Sequence, residues 1–545
     1  MNRKSRISAV VAVGAAAALT MSACATKSGG EKGAGGATGG GDSGAVITLG
    51  TTDKVTSLDP AGSYDNGSFA VQTQVFGFLF SAPYGDSKVA PELAESGEFT
   101  SPKEFTVKLK PGLTFANGHA LTASDVKFSF DRLAKINDPN GPSSLLYNLE
   151  KTEAKDDTTV VFHLKAENDQ LFTQILSSPA GPIVDEEVFD ADALTPPEKI
   201  VEGKAFAGQY EIEKFELNSL IQYKPFAGYK GAHGAPKNGG VNAKYYADSS
   251  NLKLDIQQGN IDVAYRSLSP TDIADLSKND GVEVVKGPGG EIRYMVFNFD
   301  TQPFGAKQAD ADPAKALAVR QAMADLLDRD ALAEQVYKGT YTPLYSFVPA
   351  GLDASAEPLK ELYGDGNGKP DAEKAKKRLA DAGVQTPVEL KLQYSPDHYG
   401  PSSGDEYTMI KSQLEAGGLF TVDLQSTEWV QYAKDRTDDV YPVYQLGWFP
   451  DYSDADNYLT PFFLIDNFLG NHYQNQEVND LILSSAVEPD AAKRVDMLKD
   501  IQAKVAADLS TLPYLQGTQI AVVKKGVSGA NLDASFKFPY ATLTK

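Results

Sequence analysis

The sequence predicts a mixed α/β protein that is larger than one hydrophobic core usually supports. Segments with strand-like alternation and segments with helical spacing follow one another along most of the 545 residues. Roughly 500 residues belong to the folded part, and chains of that size divide into two or three lobes. The only cysteine, Cys24, excludes a disulfide within the chain, so stability has to come from burial of apolar side chains.

The N-terminus has the pattern of an export signal. Three basic residues among the first six precede an apolar stretch over residues 7–21, which is too short to span a bilayer comfortably. Two small residues then lead to Cys24, an order that resembles a bacterial lipobox, in which the cysteine becomes the lipid-modified first residue of the mature protein. We therefore expect a signal peptide over residues 1–23, lipidation of Cys24 and a flexible glycine-rich tether over residues 24–45.

The charge balance narrows the classes of partner. The chain carries 51 basic and 73 acidic residues, a formal net charge of −22. This excess of negative charge argues against a nucleic-acid partner and against electrostatic adhesion to anionic lipid. It fits a protein that is held beside a membrane by its anchor alone.

In the first half of the chain, alternation predicts strands and apolar stripes predict helices. Thr122 and Asp125 form a T-x-x-D capping signal at the start of one helix, and Gly259 ends another. The predicted strands of this half are "AVITLGT" (45–51), "KEFTVKL" (103–109), "TVVFHL" (159–164), an antiparallel pair within residues 208–231, and "IDVAY" (261–265).

The second half continues the alternation. A short helix capped near Ser269 precedes the apolar strand "GEIRYMVFNFD" (290–300), and a long helix is expected from about Pro313 to Tyr337. The remaining predicted elements are helices over residues 369–383 and 489–509 and strands over residues 389–395 and 512–525. The sequence has no fixed-period repeat, so a solenoid is not expected.

Several of these stretches, in this order, resemble the extracytoplasmic solute-binding proteins of peptide and nickel ABC importers, the solute-binding protein family 5. The resemblance covers nearly all of the chain after the tether. The matching stretches are "SLDPA" (57–61), "GLTFANGHALTASDVKFSFDRL" (112–133), "GNIDVAY" (259–265), "FNFDTQPF" (297–304), "AVRQAMADLLDRDALAEQVYKG" (318–339), "DAEKAKKRLADAG" (371–383) and "GWFPDYSDADNYL" (447–459).

The resemblance implies a two-lobed periplasmic-binding-protein type II fold that closes on its ligand like a flytrap, with an extra inserted subdomain. Lobe I would combine residues 46–81, 200–285 and 513–545. The inserted subdomain of lobe I would be residues 82–199, and lobe II residues 286–512. The chain would thus cross between the lobes near residues 286 and 512.

One short stretch raises the question of chemistry. Asp451, Asp454 and Asp456 stand among aromatic residues in "GWFPDYSDADNYLTPFF" (447–463). General acid and base carboxylates usually come from separate elements that face a cleft, so three on one loop match a hydrolase poorly. The loop also lacks the glycine and the final glutamate of a calcium site. We expect no catalytic residue, no cofactor and no dedicated metal site.

A ligand-binding role for this stretch follows from the resemblance. In family members that import peptides, an aspartate in the motif W-x-x-D neutralises the peptide's N-terminal ammonium, and Trp448 and Asp451 match that spacing. Gly447 and Phe449 would offer backbone groups to the extended peptide. The reading that Asp451 only caps a turn stays open, while Asp454 and Asp456 are interpreted as caps.

The first lobe contributes candidates by position alone. The loop after "LDP" supplies ligand contacts in the family, and here it contains Tyr64, Asp65 and Asn66. The sequence assigns no basic residue to a peptide's C-terminus.

The sequence thus predicts a monomeric, lipid-anchored receptor on the extracytoplasmic face of a bacterial membrane. It would bind short peptides and deliver them to the permease and ATPase subunits of an ABC importer, without chemistry of its own. The alternatives are the same fold with another solute, such as a metal chelate, an oligosaccharide or a signalling peptide, and an extracellular hydrolase.

Overall fold

The computed structural model describes residues 44–545 except 267, 397, 401 and 534–536. The predicted signal peptide, Cys24 and all but the last two residues of the predicted tether lie outside the described residues.

Strands form where the sequence alternates or is continuously apolar. In chain order they are β1 (Val46–Thr51), β2 (Phe80–Ser81), β3 (Ala90–Pro91), β4 (Ala94–Ser101), β5 (Glu104–Leu109), β6 (Leu149–Asp156), β7 (Thr159–Leu164), β8 (Tyr210–Glu216), β9 (Leu220–Pro225), β10 (Gly240–Tyr245), β11 (Val263–Tyr265), β12 (Val282–Phe297), β13 (Tyr341–Pro343), β14 (Val388–Tyr394), β15 (Phe420–Ser426), β16 (Val443–Trp448) and β17 (Thr511–Lys524).

The α-helices alternate with these strands. They are α1 (Asn66–Val75), α2 (Ala123–Ile136), α3 (Phe172–Ile175), α4 (Pro197–Glu202), α5 (Ser249–Gln258), α6 (Pro270–Leu276), α7 (Pro313–Leu326), α8 (Arg329–Ala331), α9 (Pro358–Leu362), α10 (Ala372–Asp381), α11 (Ser402–Glu415), α12 (Trp429–Thr437), α13 (Thr460–Phe463), α14 (Gln476–Ser485) and α15 (Ala491–Asp508).

One large mixed sheet runs through the molecule. Its strand order is β15-β14-β16-β12-β17-β11-β1-β10-β9-β8, with β13 added to β17. A separate antiparallel sheet has the order β4-β5-β7-β6, and β2 pairs with β3. Parallel and antiparallel neighbours both occur, so the predicted α/β class is confirmed.

The strands β12 and β17 form the centre of the large sheet. They pair antiparallel from Val282 opposite Lys524 to Val296 opposite Thr511. The register shifts between Pro288 and Ile292, so the two halves of the ladder are offset from each other. The predicted crossings near residues 286 and 512 lie in these two strands.

Buried apolar residues form three large clusters that follow the chain. The terminal core joins β1 and β8–β11 to the end of β17, the inserted core lies between α2 and the small antiparallel sheet, and the middle core packs the helices after β12 against β12, β14 and β16. The predicted lobe boundaries stay a prediction, which we take up below.

Two capping predictions are confirmed in detail. Thr122 and Asp125 form a reciprocal capping box at the start of α2. Gly259 adopts φ +72° directly after α5, the left-handed geometry in which glycine ends a helix without a Cβ clash.

The predicted long helix from Pro313 to Tyr337 is wrong as one element. Helix α7 ends at Leu326, and Asp328 then accepts a hydrogen bond from the backbone N–H of Ala331 to start α8. Helical spacing of apolar residues persists across this break, so periodicity alone cannot reveal the interruption. The N-cap residue Asp328 was the available signal.

Candidate ligand-binding site

The structure brings most of the predicted site residues around one cavity. Tyr64, Asp65 and Asn66 lie on one wall, and Trp448, Phe449 and Asp451 lie on another. The cavity has a volume of about 690 Å³, within the range of sites that enclose small ligands. The seventh predicted residue, Gly447, is not among the residues that line it.

A buried ion pair holds the segment that carries Tyr64. Arg132 of α2 donates to both carboxylate oxygens of Asp59, at 2.9 and 2.6 Å, and both side chains are almost fully buried. Such bidentate guanidinium–carboxylate pairs fix geometry as well as charge. Asp65 then accepts from the backbone N–H of Ser68 and caps α1, so it has a structural role as well as a place in the cavity wall.

The loop that carries Asp451 is clamped by one amide side chain. The Asn457 carbonyl oxygen accepts from the Asp451 backbone N–H at 2.9 Å and from the Trp448 indole N–H at 3.1 Å. The Asn457 amide also donates to one Asp451 carboxylate oxygen at 3.1 Å. Asn457 is buried, so these three bonds fix both the backbone and the side chain of Asp451. The sequence analysis missed Asn457.

The second carboxylate oxygen of Asp451 accepts a hydrogen bond from the phenol of Tyr64. Among the described residues, no Lys, Arg or His lies within ion-pair distance of Asp451, so its partners are all neutral. Burial raises the pKa of Asp451 above its usual value, and the hydrogen bonds from Tyr64 and Asn457 oppose that rise. Within the part of the chain that the structure describes, Asp451 therefore contributes a carboxylate without a counter-ion to the cavity wall.

The other two aspartates of the loop have structural partners. Asp454 accepts from the Asp456 backbone N–H and starts the 3-10 turn Ala455–Tyr458, and Arg494 donates to both of its carboxylate oxygens. Its interpretation as a cap is confirmed. Asp456 is a different case, because its carboxylate accepts from the hydroxyls of Thr460 and Tyr452 rather than from a helix N–H, and burial raises its pKa to about 6.

The edge of β16 beside this loop is only partly covered. Strand β12 pairs with one edge through Trp448, whereas β14 pairs with the other edge only at Val443 and Tyr444. The ring of Tyr399 covers Gly447, since a Cβ built there would lie 3.0 Å from Tyr399 Cε1.

The aromatic residues of the loop pack mainly on one another. Trp448 meets Phe462 edge-on at a centroid distance of 5.2 Å and Phe468 at 5.7 Å. Of these, Trp448 and Phe468 reach the wall of the 690 Å³ cavity. These two rings therefore form an aromatic part of the cavity wall that Asp451 also lines.

A second cavity of about 390 Å³ adjoins the first, and Phe449 lines both. Its lining includes the three charged side chains Arg266, Arg293 and Glu291. The sequence analysis did not single out either arginine. The position of Arg293 within the mostly apolar run IRYMVF (292–297) of β12 was the signal that could have found it.

One lysine lines the first cavity. Lys537 donates to the carbonyl oxygen of Ser177 at 3.1 Å, and its ammonium lies over the rings of Phe69 and Phe78. Burial lowers the pKa of Lys537 to about 8.

Among the described residues, one group of side chains could hold a metal ion. Ligand atoms of Asp300, Asp439 and His472 lie within 4.8 Å of one another. Lys307 already contacts Asp300 at 2.8 Å and Asp439 at 3.4 Å, so an ammonium group neutralises these carboxylates. The group does not belong to either cavity.

Among the described helices, none has the length and apolar character needed to cross a membrane.

The chain is similar to binding proteins over most of its length. It is 25% identical to the dipeptide-binding protein of Escherichia coli (strain K12) over 496 residues, which cover 86% of this chain and 88% of that protein. It is 27% identical to the glutathione-binding protein GsiB of Pectobacterium atrosepticum over 516 residues, 92% of this chain and 94% of that one.

The fold is that of a solved substrate-binding protein. The crystal structure of the ABC transporter substrate-binding protein CtaP of Listeria monocytogenes superposes with a TM-score of 0.76 at 24% identity, covering 92% of this chain and 99% of that chain. This likeness confirms the predicted two-lobed periplasmic-binding-protein fold. The profile of the bacterial extracellular solute-binding proteins, family 5 (middle), matches residues 88–468. The chain therefore belongs to family 5 of the bacterial extracellular solute-binding proteins.

Proposed function

We propose that this protein binds short peptides in the 690 Å³ cavity and delivers them to the permease of an ABC importer. The observation that carries the proposal is the half-buried carboxylate of Asp451, whose partners in the described part of the chain are all neutral. A peptide's N-terminal ammonium supplies the missing positive charge. A charge-assisted hydrogen bond of this kind contributes about 1.5–3 kcal/mol.

Binding by strand addition would explain how one site accepts peptides with different side chains. The end of β16 leads directly into Phe449 and Asp451, so an extended peptide can pair its backbone beside this segment while its side chains project into the cavity. Main-chain hydrogen bonds then give affinity without reading the peptide's sequence.

The lobes are proposed to close about β12 and β17. Lobe I would be residues 46–81, 200–285 and 513–545, with the inserted subdomain at 82–199, and lobe II residues 286–512. The register shift between Pro288 and Ile292 is a natural point of flexure because the ladder is already interrupted there.

The protein is proposed to act without chemistry, as a monomer held on the extracytoplasmic face of the membrane by a lipid on Cys24. Asp454 and Asp456 are occupied by structural partners, which leaves Asp451 without a second free carboxylate from its own loop. The curated relatives named above are binding proteins for a dipeptide and for glutathione, which supports a small peptide-like ligand.

Mass spectrometry of the ligand that co-purifies with the protein tests this function. We expect peptides of a few residues with free N-termini, recovered intact after prolonged incubation with the protein. A solute without an ammonium group would contradict the peptide proposal, and cleaved peptides would favour the hydrolase.

A further inference from the structure

We infer that the inserted subdomain forms a clasp with lobe II that holds the ligand cavity closed and slows release of the ligand. The clasp consists of Gln170 and Ser87 of the inserted subdomain and of Ala486, Gly351 and Tyr452 of lobe II. This inference deepens the proposed function and rests on it, because it uses the proposed lobe boundaries and concerns how long the same cavity stays closed.

The first contact of the clasp joins two backbones. The N–H of Gln170 donates to the carbonyl oxygen of Ala486 at 2.9 Å. Ala486 follows α14 directly, so its carbonyl belongs to the helix end, where carbonyl groups have no partner within the helix. The inserted subdomain therefore supplies a donor that α14 itself lacks. Such a backbone contact does not depend on the identity of either side chain.

The segment that carries Gln170 is fixed within the inserted subdomain. The carboxylate of Asp169 accepts from the Asn148 amide at 2.6 Å and from the backbone N–H of Leu171 at 2.9 Å. Asp169 and Asn148 are both buried. A backbone held in place on both sides loses little conformational entropy when its N–H meets an acceptor, so the Gln170 donor is preorganised for the contact.

The acceptor side of the clasp is bonded to the loop that carries Asp451. Arg494 donates through Nε to the carbonyl oxygen of Ser485 at 3.1 Å and through its other two nitrogens to both carboxylate oxygens of Asp454. Asp454 starts the turn that contains Asn457, the side chain that clamps Asp451. A continuous bonded path therefore runs from the end of α14 to the ligand carboxylate.

Two further contacts join the inserted subdomain to lobe II. The ring of Tyr452, one residue after Asp451, packs against the inserted core, and its hydroxyl donates to Asp456 at 3.2 Å. The hydroxyl of Ser87 donates to the carbonyl oxygen of Gly351 at 3.3 Å. Tyr452 also lines the 690 Å³ cavity, so the clasp reaches the ligand site itself.

The clasp has to open before the lobes can part. By the proposed boundaries Gln170 moves with lobe I and Ala486 with lobe II, so opening about β12 and β17 breaks their hydrogen bond. Contacts that break before a ligand leaves act mainly on its rate of release. Because the ligand and the clasp both favour the closed form, each should stabilise the other. We expect release to slow at least about tenfold when the clasp cannot open.

A disulfide across the clasp tests this expectation. Gln170→Cys with Ala486→Cys, in a Cys24→Ser background, leaves two thiols in the chain. Residues joined by a backbone hydrogen bond have Cα atoms about 5–6 Å apart, within the roughly 4.4–6.8 Å that a disulfide spans. The protein is loaded with a pool of random tripeptides that have free termini and is then oxidised with diamide. Native mass spectrometry should show peptide release at least about tenfold slower than after reduction.

The matched control is a disulfide that stays inside the inserted subdomain. Glu98→Cys with Thr106→Cys, in the same background, joins a cross-strand pair of β4 and β5 and does not reach lobe II. Oxidation of this control should leave the rate of release unchanged. Slower release in the control as well would identify a general effect of cross-linking and would overturn the inference.

Hydrogen exchange of the wild-type protein gives a second measurement that needs no substitution. Resolved by electron-transfer fragmentation, the N–H of Gln170 should exchange at least about tenfold more slowly with peptide bound, because the clasp then stays closed. The N–H of Leu171, which is bonded to Asp169 inside the subdomain, is the internal reference and should not change.

The outcomes separate the clasp from the proposed function. Equal release from the oxidised and the reduced clasp variant would overturn the inference, and so would exchange at Gln170 that bound ligand does not slow. If the disulfide fails to form, the exchange measurement decides. Retention of a co-purified solute by the oxidised variant, without binding of the tripeptide pool, would overturn the proposed function and leave the clasp intact.

Discussion

The phenol of Tyr64 donates a hydrogen bond to the carboxylate of Asp451, 387 residues later in the chain. Tyr64 belongs to a segment anchored by the Asp59–Arg132 ion pair, and Asp451 to a loop clamped by Asn457. Both residues line the 690 Å³ cavity, and their contact occupies one of the two oxygens that a ligand ammonium would approach. The charge and the hydrogen bonds of Asp451 should therefore influence the affinity for ligand, the stability of the protein and the dependence of both on pH.

Replacement of Asp451 should weaken ligand binding. Asp451→Asn removes the charge and nearly preserves the shape, so the affinity for peptides with a free amino end should fall at least about tenfold, equal to about 1.4 kcal/mol. Isothermal titration calorimetry with the ligand identified by mass spectrometry measures this. Asp381→Asn, at an exposed position of α10, is the matched control and should not change affinity. Unchanged affinity in Asp451→Asn would remove Asp451 from the site.

The same substitution should leave the unliganded protein as stable or make it more stable. Burial raises the pKa of Asp451 in the folded protein, so the native state binds more protons than the unfolded state as pH passes through this range. The contribution of Asp451 to the free energy of unfolding therefore decreases as pH rises from its pKa in the unfolded state through its pKa in the folded state. At neutral pH the ionised carboxylate still lowers the stability of the folded protein.

Thermal unfolding at several pH values measures this effect. Asp451→Asn should unfold at an equal or higher temperature than wild type at pH 7, with the difference shrinking in acid. A clear decrease of the unfolding temperature at pH 7 would mean that the carboxylate is net stabilising in the folded protein.

As the solution is acidified, ligand affinity should fall at a higher pH than it would if an aspartate with an ordinary pKa bound the ammonium. Only the ionised carboxylate neutralises an ammonium, so affinity should decrease as pH falls through the raised pKa of Asp451. The Tyr64 hydrogen bond favours the ionised form, and Tyr64→Phe should therefore move this loss of affinity to still higher pH. Titrations between pH 4 and 8 compare the two proteins. Superimposable pH profiles would show that Tyr64 does not control Asp451.

The anchor beneath Tyr64 should be needed for stability. Asp59→Ala leaves the buried guanidinium of Arg132 without its bidentate partner, and the loss of one partner from a buried pair costs about 3–5 kcal/mol. Urea unfolding measures the change. Lys377→Ala breaks an exposed pair with Asp381 and should change the free energy of unfolding by less than about 1 kcal/mol. A similarly small effect for Asp59→Ala would contradict a structural role for this pair.

The sequence predicted those parts of the fold that depend on local patterns. Strands β1, β5 and β7 and the capping box of α2 follow from alternation and from short-range hydrogen bonding, which the sequence contains directly. The break after α7 was missed because its apolar residues keep helical spacing while Asp328 restarts the helix.

The candidate site was only partly predictable for a physical reason. Trp448 and Asp451 could be singled out because they lie close together in one motif. Asn457, Arg266 and Arg293 act through contacts that the tertiary fold creates, and no spacing in the sequence brings Arg266 to Phe449. Side chains that matter through long-range contacts need the structure.

The most direct test is a cycle that combines Asp451→Asn with acetylation of the ligand's amino end, measured by calorimetry. If the carboxylate meets the ammonium, acetylation should cost wild type at least about tenfold in affinity and should cost the variant almost nothing more. If wild type binds acetylated and free ligands equally, or if the variant discriminates as strongly as wild type, then Asp451 does not receive the amino end of a peptide.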